Sequence, residues 1–416
     1  MSHDVSATPV SRTMIMVLAL ACGVAVANVY FPQAISPLIA TDLRISRDDA
    51  ALAATAAQLG YAAGIFLLVP LGDRIRHRTL ITILLVLTGV ALAVAGLAPN
   101  LPVLLAASAC VGLTTVVPQI IIPMTAGLVP ENRRGAVTGT LLGGLIGGIL
   151  LARTFSGIIG QWFDWRAPYL VAAALALVLA VVLGLTVPTT HPTSQQSYPA
   201  LLATPVRLFR DEPELRRSCL YQATMFAGFT GAWTSVALLM TGPDFRLDTR
   251  AVGLLALVGA ASVFCTPVAG RWIDRRGSDP VNLICFAAAL AAAAILLAGN
   301  ARGAIGVGAL AVGMLVLDVA MQSGQVANQA RIFALRPDAR ARLNTAYMTC
   351  AFLGGTAGSW LGVQAYSHFG WTGVCALVAI AAALASTRHA LRRRHSRPVT
   401  APDQSGTPAA EPAAVD

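Results

Sequence analysis

The chain has 416 residues, 56% of them hydrophobic and only 12% charged, against about 25% charged in soluble domains. That composition excludes a soluble globular protein, which would need far more polar surface to cover itself. The formal net charge of +10 comes from 29 basic residues, all arginine, against 19 acidic ones; the arginines sit at the ends of apolar runs and form no separate basic domain, which argues against nucleic-acid binding.

In chain order the uncharged runs are 13–41, 50–72, 79–130, 218–243, 251–270, 280–301 and 343–387. A helix needs about 20 mostly apolar residues to cross a bilayer. The shorter runs fit one crossing each. Residues 79–130 fit two, broken at Ala98-Pro99-Asn100-Leu101-Pro102, and 343–387 fit two, broken at Ser367-His368-Phe369-Gly370. Helices are expected over 13–40, 49–71, 79–98, 101–128, 135–160 and 166–187, then over 216–241, 250–271, 280–299, 303–330, 342–366 and 371–389. Because lipid satisfies no backbone hydrogen bonds, segments this long must be helices. The expected fold is an all-α integral membrane protein with twelve transmembrane helices in two pseudo-symmetric six-helix bundles.

The division follows: an N-terminal tail (1–12), a first bundle (13–187), a central loop (188–215) with five prolines, a second bundle (216–390) and a polar Ala/Pro-rich tail (391–416) expected to be disordered. Ala25-Val26-Ala27 resembles a signal-peptide cleavage site, but the apolar run continues to Ala40, far beyond a signal core, so the first span is expected to remain.

With the N-terminus inside, Arg44, Arg47, Arg166, Arg246, Arg250 and Arg302 face outward, Arg153 is embedded, and the other 22 arginines lie inside. The positive-inside rule therefore places both termini in the cytoplasm. Cys22, Cys110, Cys219, Cys265, Cys285, Cys350 and Cys375 are scattered through the spans without metal-ligand spacing and read as small apolar residues. No metal and no cofactor is expected, and a monomer is the expected unit.

The halves repeat. Asp73-Arg74 after span 2 recurs as Asp274-Arg275 after span 8, an offset of 201; Gly143, Gly144 and Gly147 recur as Gly354, Gly355 and Gly358, an offset of 211; Pro130 matches Pro337, an offset of 207. Two six-helix repeats around a central cytoplasmic loop are the architecture of major facilitator transporters. The segment Val69-Pro70-Leu71-Gly72-Asp73-Arg74-Ile75-Arg76-His77-Arg78 resembles that superfamily's signature loop, with Val69 and Arg76 in place of two glycines. The second copy, Gly270-Arg271-Trp272-Ile273-Asp274-Arg275-Arg276-Gly277, keeps both. Ala27–Gln33, Gly148–Gly157, and Leu317-Asp318 with Asn328–Arg331 further resemble a bacterial efflux-type branch. Drug:proton antiporters of the superfamily carry an arginine early in span 4 and Gly-Pro in span 5; here Leu104–Cys110 is uncharged and Gly147-Gly148 has no proline. The resemblance implies a multi-pass protein of the bacterial cytoplasmic membrane, with spans 1, 4, 7 and 10 lining a central cavity.

Asp73 ends a helix whose dipole disfavours an anion, so it is expected to seek another helix N-terminus, that of span 11; Asp274 stands in the same relation to span 5. Asp73, Arg74, Asp274, Arg275, Gly270 and Gly277 are thus candidate gating residues, the competing reading being a solvated charged loop.

Candidate binding residues are polar groups inside apolar spans. Asp318 is the one acidic residue in the middle of a span and a functional candidate by default. Asp318, Gln322, Gln325 and Gln329 fall on one helical face, either lining a cavity or bonding the bundle together. Asn28, Tyr30 and Gln33 lie beside Pro32 and Pro37, and Gln119 lies between Pro118 and Pro123; these prolines free carbonyls or bend the helix. Gln222, Phe226, Phe229 and Trp233 share a face of span 7, toward cavity or lipid. Arg153 has three readings: snorkelling to the interface, binding an anionic substrate, or pairing with Asp318. The glycines around it favour a buried structural or gating pair.

Enzymatic chemistry is not expected: there is no phosphate-cradling loop with lysine and no metal-ligand spacing. The expectation is a secondary transporter of a small organic molecule working by alternating access, with protons as coupling ion and export as direction. Uptake or uniport is the alternative within the class, and a non-transporting sensor or assembly partner the alternative outside it. The orientation has a direct check in a cysteine-free background. Asn100→Cys or Ser367→Cys should react with an impermeant external thiol reagent, and a cysteine within 188–215 should not; the reverse labelling would invert the topology.

Overall fold

The computed structural model describes residues 11–188, 196–336 and 339–395. Among the described residues the chain is helical throughout and has no strand. Two breaks near the centre of the first half come from proline. α1 (Arg12–Ala27) and α2 (Phe31–Leu43) form one pair bent by 41°. Pro32, in the first turn of α2, has no N–H to bond the Asn28 carbonyl, and in a continuous helix its ring would clash with that carbonyl. α5 (Leu101–Thr114) and α6 (Val117–Gly127) break just ahead of Pro118. The two breaks satisfy each other: Thr115 Oγ1 donates to the Ala25 carbonyl at 2.5 Å, and Asn28 Nδ2 donates to Thr115 Oγ1 at 3.3 Å.

α3 (Arg47–Leu67) starts with the Ser46 side chain accepting from the Asp49 N–H and with two aspartates in its first turn, both favourable at a helix N-terminus. A 3₁₀ turn, Val69–Asp73, leads into α4 (His77–Gly96). α7 (Glu131–Trp162) and α8 (Arg166–Thr186) complete the first bundle, and α9 (Tyr198–Asp211) precedes the second. That bundle comprises α10 (Pro213–Met240), α11 (Thr249–Gly259), a 3₁₀ stretch over 260–265, α12 (Thr266–Arg276), α13 (Ser278–Leu297), α14 (Gly303–Leu335) and α15 (Arg340–His395).

Nine of the described helices are long and apolar enough to cross a membrane, or ten with the bent α1–α2 pair. Twelve is compatible with this: α15 is two helices turned at Gly370, whose φ of 62° suits a residue without Cβ, and α11 and α12 flank a 3₁₀ stretch in one broken segment.

Contacts sort the turns onto two faces. Tyr221 bonds His389, Arg217 bonds Asp279, and Tyr198 bonds the Leu67 carbonyl. The start of α10, the end of α15, α9 and the 69–78 turn therefore share one face, here the terminal face. On the opposite face Trp165 and Arg166 bond Asp42, Arg302 pairs with Asp244, and Asn300 bonds Thr372.

Three expectations are corrected. Residues 198–211 are a helix and not a loop: Leu201, Pro205 and Leu208 are buried along one side while Arg207 and Arg210 stay exposed, so packing of the amphipathic face outweighs the interior Pro205. The C-terminal helix runs five residues past the expected boundary, to His395. The glycine repeat is shifted by one: Gly144 and Gly148 pack on Ala19 and Gly23 of α1, as Gly354 and Gly358 pack on Ala223 and Ala227 of α10. The structural offset is 210, because the contact face, and not the run of glycines, sets the register. The expected tails at 1–10 and 396–416, Pro192 and Pro337 lie outside the described residues.

The glycine contacts give the first structural test. A Cβ at Gly358 would stand 2.1 Å from the Ala227 carbonyl oxygen, whereas one at Gly147 meets nothing within 4 Å. Gly358→Ala is expected to cost about 1–3 kcal/mol through overpacking, and Gly147→Ala nothing, read as thermal unfolding midpoints in detergent. Equal losses at both positions would contradict the packing.

Candidate functional site

The site is built where the broken α1–α2 pair, α7, α10 and α14 converge. α7 runs parallel to α1–α2 because Gly144 and Gly148 admit the α1 backbone, which brings Arg153 beside Gln33. Arg153 is 1% exposed, and its Nε donates to Gln33 Oε1 at 2.7 Å. Its guanidinium carbon lies 4.3 Å from the Trp233 ring centre, 4.9 Å from Tyr30 and 5.5 Å from Phe229. Ring faces from both halves thus surround the cation, where their quadrupoles attract it. Both terminal guanidinium nitrogens are buried without a hydrogen-bond partner among the described residues.

Asp318, on α14, is fully buried. Its Oδ1 accepts from Trp233 Nε1 at 3.3 Å, and its Oδ2 has no hydrogen-bond partner among the described residues. The carboxylate rests on Gly259 at the end of α11, where a Cβ would come within 2.3 Å of Oδ2. No Arg153–Asp318 ion pair forms within hydrogen-bonding reach among the described residues, yet the two charges attract one another. Trp233 stands between them: its face takes the cation and its N–H edge takes the anion. Each contact polarises the indole in the sense that strengthens the other.

Toward the terminal face lies a cavity of about 30 Å³, room for about two waters. Gln119, Gln222, Gln322 and Gln325 line it, with Tyr30, Tyr61, Phe226 and Phe352 among its walls. The Gln222 amide donates to Gln325 Oε1 at 3.4 Å, and the Gln119 amide donates to the Tyr61 hydroxyl at 3.4 Å.

The polar stripe on span 10 is therefore divided by position. Gln322 and Gln325 face the cavity, Asp318 lies beyond it behind aromatic rings, and Gln329 points away to Asn344 at 3.4 Å. Tyr30, Gln119 and Gln222 line the cavity as well. Gln33 holds Arg153, Trp233 bridges the charges, and Asn28 bonds Thr115 at the α1–α2 break. Sequence reading missed Tyr61 and Phe352, whose rings pack at 4.4 Å across the two halves; one tyrosine in an alanine-rich span carries no periodic signal. It also missed the cluster in which Arg217 bonds Asp279 at 2.7 Å and Glu214 at 3.1 Å, with Arg331 also on Asp279. Those charges lie at helix ends, and only folding brings them together.

The halves meet toward the opposite face. Arg47 donates to the Thr241 carbonyl at 3.2 Å, Thr55 bonds Ser359 at 3.0 Å, and Ser367 bonds Asp48. Thr154 bonds the Gly253 carbonyl at 2.8 Å, and Thr249 bonds the Gly157 carbonyl at 3.1 Å. On the terminal face Asp73 is half-buried and Asp274 exposed, and neither bonds the other half among the described residues. Arg74 and Arg275 are exposed, Gly270 is helical, and Gly277 ends α12 with φ 79°. Among the described residues no His, Cys, Asp or Glu cluster is placed to hold a metal.

The sequence profile of the Major Facilitator Superfamily matches residues 14–323 and 223–414. The Escherichia coli O157:H7 protein named "Uncharacterized transporter YgaY" is 36% identical over 365 residues, covering 88% of this chain and 92% of that protein. Among solved structures, a mutant of the nucleoside transporter NupG has a TM-score of 0.73 at 14% identity, covering 91% of this chain and 99% of that one. A bacterial homolog of the lysosomal transporter Spinster, in an inward-facing and occupied conformation, has a TM-score of 0.66 at 16% identity, covering 92% and 96%. At those identities the structural likeness is one of fold alone.

Proposed function

The chain belongs to the Major Facilitator Superfamily, a family of non-enzymatic multi-pass membrane transporters, and from that premise we propose that it is a proton-coupled exporter of a small organic molecule. The observation that carries this reading is the pair of opposite charges buried on different halves, with Arg153 on the first, Asp318 on the second, and Trp233 between them.

A carboxylate sealed in a low-dielectric interior is a functional candidate by default, because its burial is costly unless a cavity or a partner offsets it. With Asp318 ionised, its attraction to Arg153 draws the halves together toward the opposite face. Protonation removes the anion, leaves Arg153 without a counter-charge and favours separation on that side. The cavity then changes the face it opens to, which is alternating access. With the topology expected from the arginines, the opposite face is extracellular; once the halves have parted there, Asp318 exchanges its proton with that side and the solute leaves by the same mouth. The resemblance of 27–33, 148–157, 317–318 and 328–331 to an efflux-type branch supports the same direction. Asp73 and Asp274 are proposed to clamp the terminal face in the other state, against the N-termini of spans 11 and 5, each contact worth about 0.3–1 kcal/mol.

Asp318→Asn keeps the shape and the acceptor for Trp233 but cannot titrate. In proteoliposomes under an imposed pH gradient it is expected to abolish uphill transport and leave passive exchange measurable. Asp73→Asn, which spares the proton site, is expected to slow both several-fold. Uphill transport with normal pH dependence in Asp318→Asn would make Asp318 a packing residue, and unchanged rates in Asp73→Asn would remove the clamp.

A further inference from the structure

The cavity lining is defined by what it lacks. Among the described residues no Asp, Glu, Arg or His side chain lines the cavity. Arg153 and Asp318 are not among the lining residues: Arg153 bonds Gln33 and lies against the rings of Tyr30, Phe229 and Trp233, and Asp318 accepts from Trp233. An ion brought into this cavity would lose its hydration and find no counter-charge in the lining, a cost that dipoles of neutral amides offset poorly.

What the lining offers is four primary amides, each with two N–H donors and a carbonyl acceptor. Three of them, Gln222, Gln322 and Gln325, come from the second half and only Gln119 from the first. Gln322 is 4% exposed and its Nε2 has no protein partner among the described residues, which leaves a donor facing the cavity. The bonds the other amides make are long and replaceable. Gln222 Nε2 is 3.4 Å from Gln325 Oε1 and 3.6 Å from Met321 Sδ, and Asn344 Nδ2 is 3.4 Å from Gln119 Oε1. Around the amides stand flat apolar surfaces: Phe352 lies edge-on to Phe226 at 5.1 Å and packs on Tyr61 at 4.4 Å, with the thioethers of Met321 and Met348 filling the remainder.

From this arrangement, and resting on the transporter reading above, we infer that the transported solute is uncharged and is a flat ring edged with hydrogen-bond donors and acceptors, of the nucleobase or nucleoside type. Its ring lies against Phe226, Tyr61 and Phe352, and its polar edge turns to Gln222, Gln322 and Gln325. The second half reads the polar edge and supplies the rings of Phe226 and Phe352, and the first half supplies Tyr61 and the single amide of Gln119. At about 30 Å³ the cavity is contracted, so solute entry requires the halves to separate along the Tyr61–Phe352 contact.

The test uses the purified full chain in detergent, reading the thermal unfolding midpoint against added uridine, adenosine, benzoate or benzyltrimethylammonium. The last two carry a comparable flat ring with a negative or positive charge. The expected result is a saturable rise with uridine or adenosine and none with the charged rings. Gln322→Leu is expected to raise the apparent dissociation constant about tenfold or more, with Gln322→Asn between it and the wild type. Gln325→Leu serves if Gln322→Leu is not monodisperse. A rise with either charged ring, or with neither neutral ring, overturns the inference, as does unchanged affinity in the glutamine variants. No gradient is present, so the outcome is independent of proton coupling. Uridine binding retained by an Asp318→Asn variant that still pumps would sink the coupling reading and leave this one standing.

Discussion

Everything near the centre of this molecule answers to one constraint: two opposite charges, on different halves, are sealed in an apolar interior. Coulomb attraction is strong there because water is excluded, and an unmatched charge is costly for the same reason. The surroundings divide the problem. Gln33 takes one guanidinium N–H, three ring faces take the cation's field, and Trp233 passes the contact on to Asp318. The arrangement is left incomplete: both terminal guanidinium nitrogens, the second carboxylate oxygen and the Gln33 amide nitrogen lack hydrogen-bond partners among the described residues.

The backbone is shaped to allow this arrangement. Pro32 and Pro118 break spans 1 and 4 at the same depth, and Asn28 and Thr115 repair the breaks against each other. The bend redirects α2, which carries Gln33 to Arg153. Glycine pairs hold each bundle tightly within itself, at Gly144–Ala19 and Gly358–Ala227. Contacts between the bundles include hydroxyl-to-carbonyl hydrogen bonds, as at Thr154–Gly253 and Thr249–Gly157. Firm bundles joined by exchangeable hydrogen bonds are what a rocking motion about a central site requires.

The helical membrane architecture and its twofold repeat were legible in the sequence because hydropathy and charge act locally and leave a signal in every span. Asp318 was legible for the same reason: an acid in an apolar span stands out whatever the fold. Its environment was not. One stripe, Asp318–Gln322–Gln325–Gln329, is a single face by periodicity, yet the fold assigns its members to the charge pair, the cavity and the Asn344 contact. That division depends on Trp233 and Gly259, which come from other helices. The α9 helix was misread because its two prolines outweighed, in a local reading, an apolar face that matters only once it is docked. The glycine register slipped by one because runs of glycine look alike until a partner helix selects the face.

The central claim is that protonation of Asp318 releases the two halves on the face away from the termini. Spin labels at Phe163→Cys and Phe369→Cys, both 75% exposed at that end of opposite halves, would measure this directly in a cysteine-free background. The account predicts a short distance at alkaline pH that lengthens on acidification, and a long distance at every pH when Asp318 is replaced by Asn. A distance that ignores pH in the wild type, or that stays short in the Asp318→Asn protein, would contradict it.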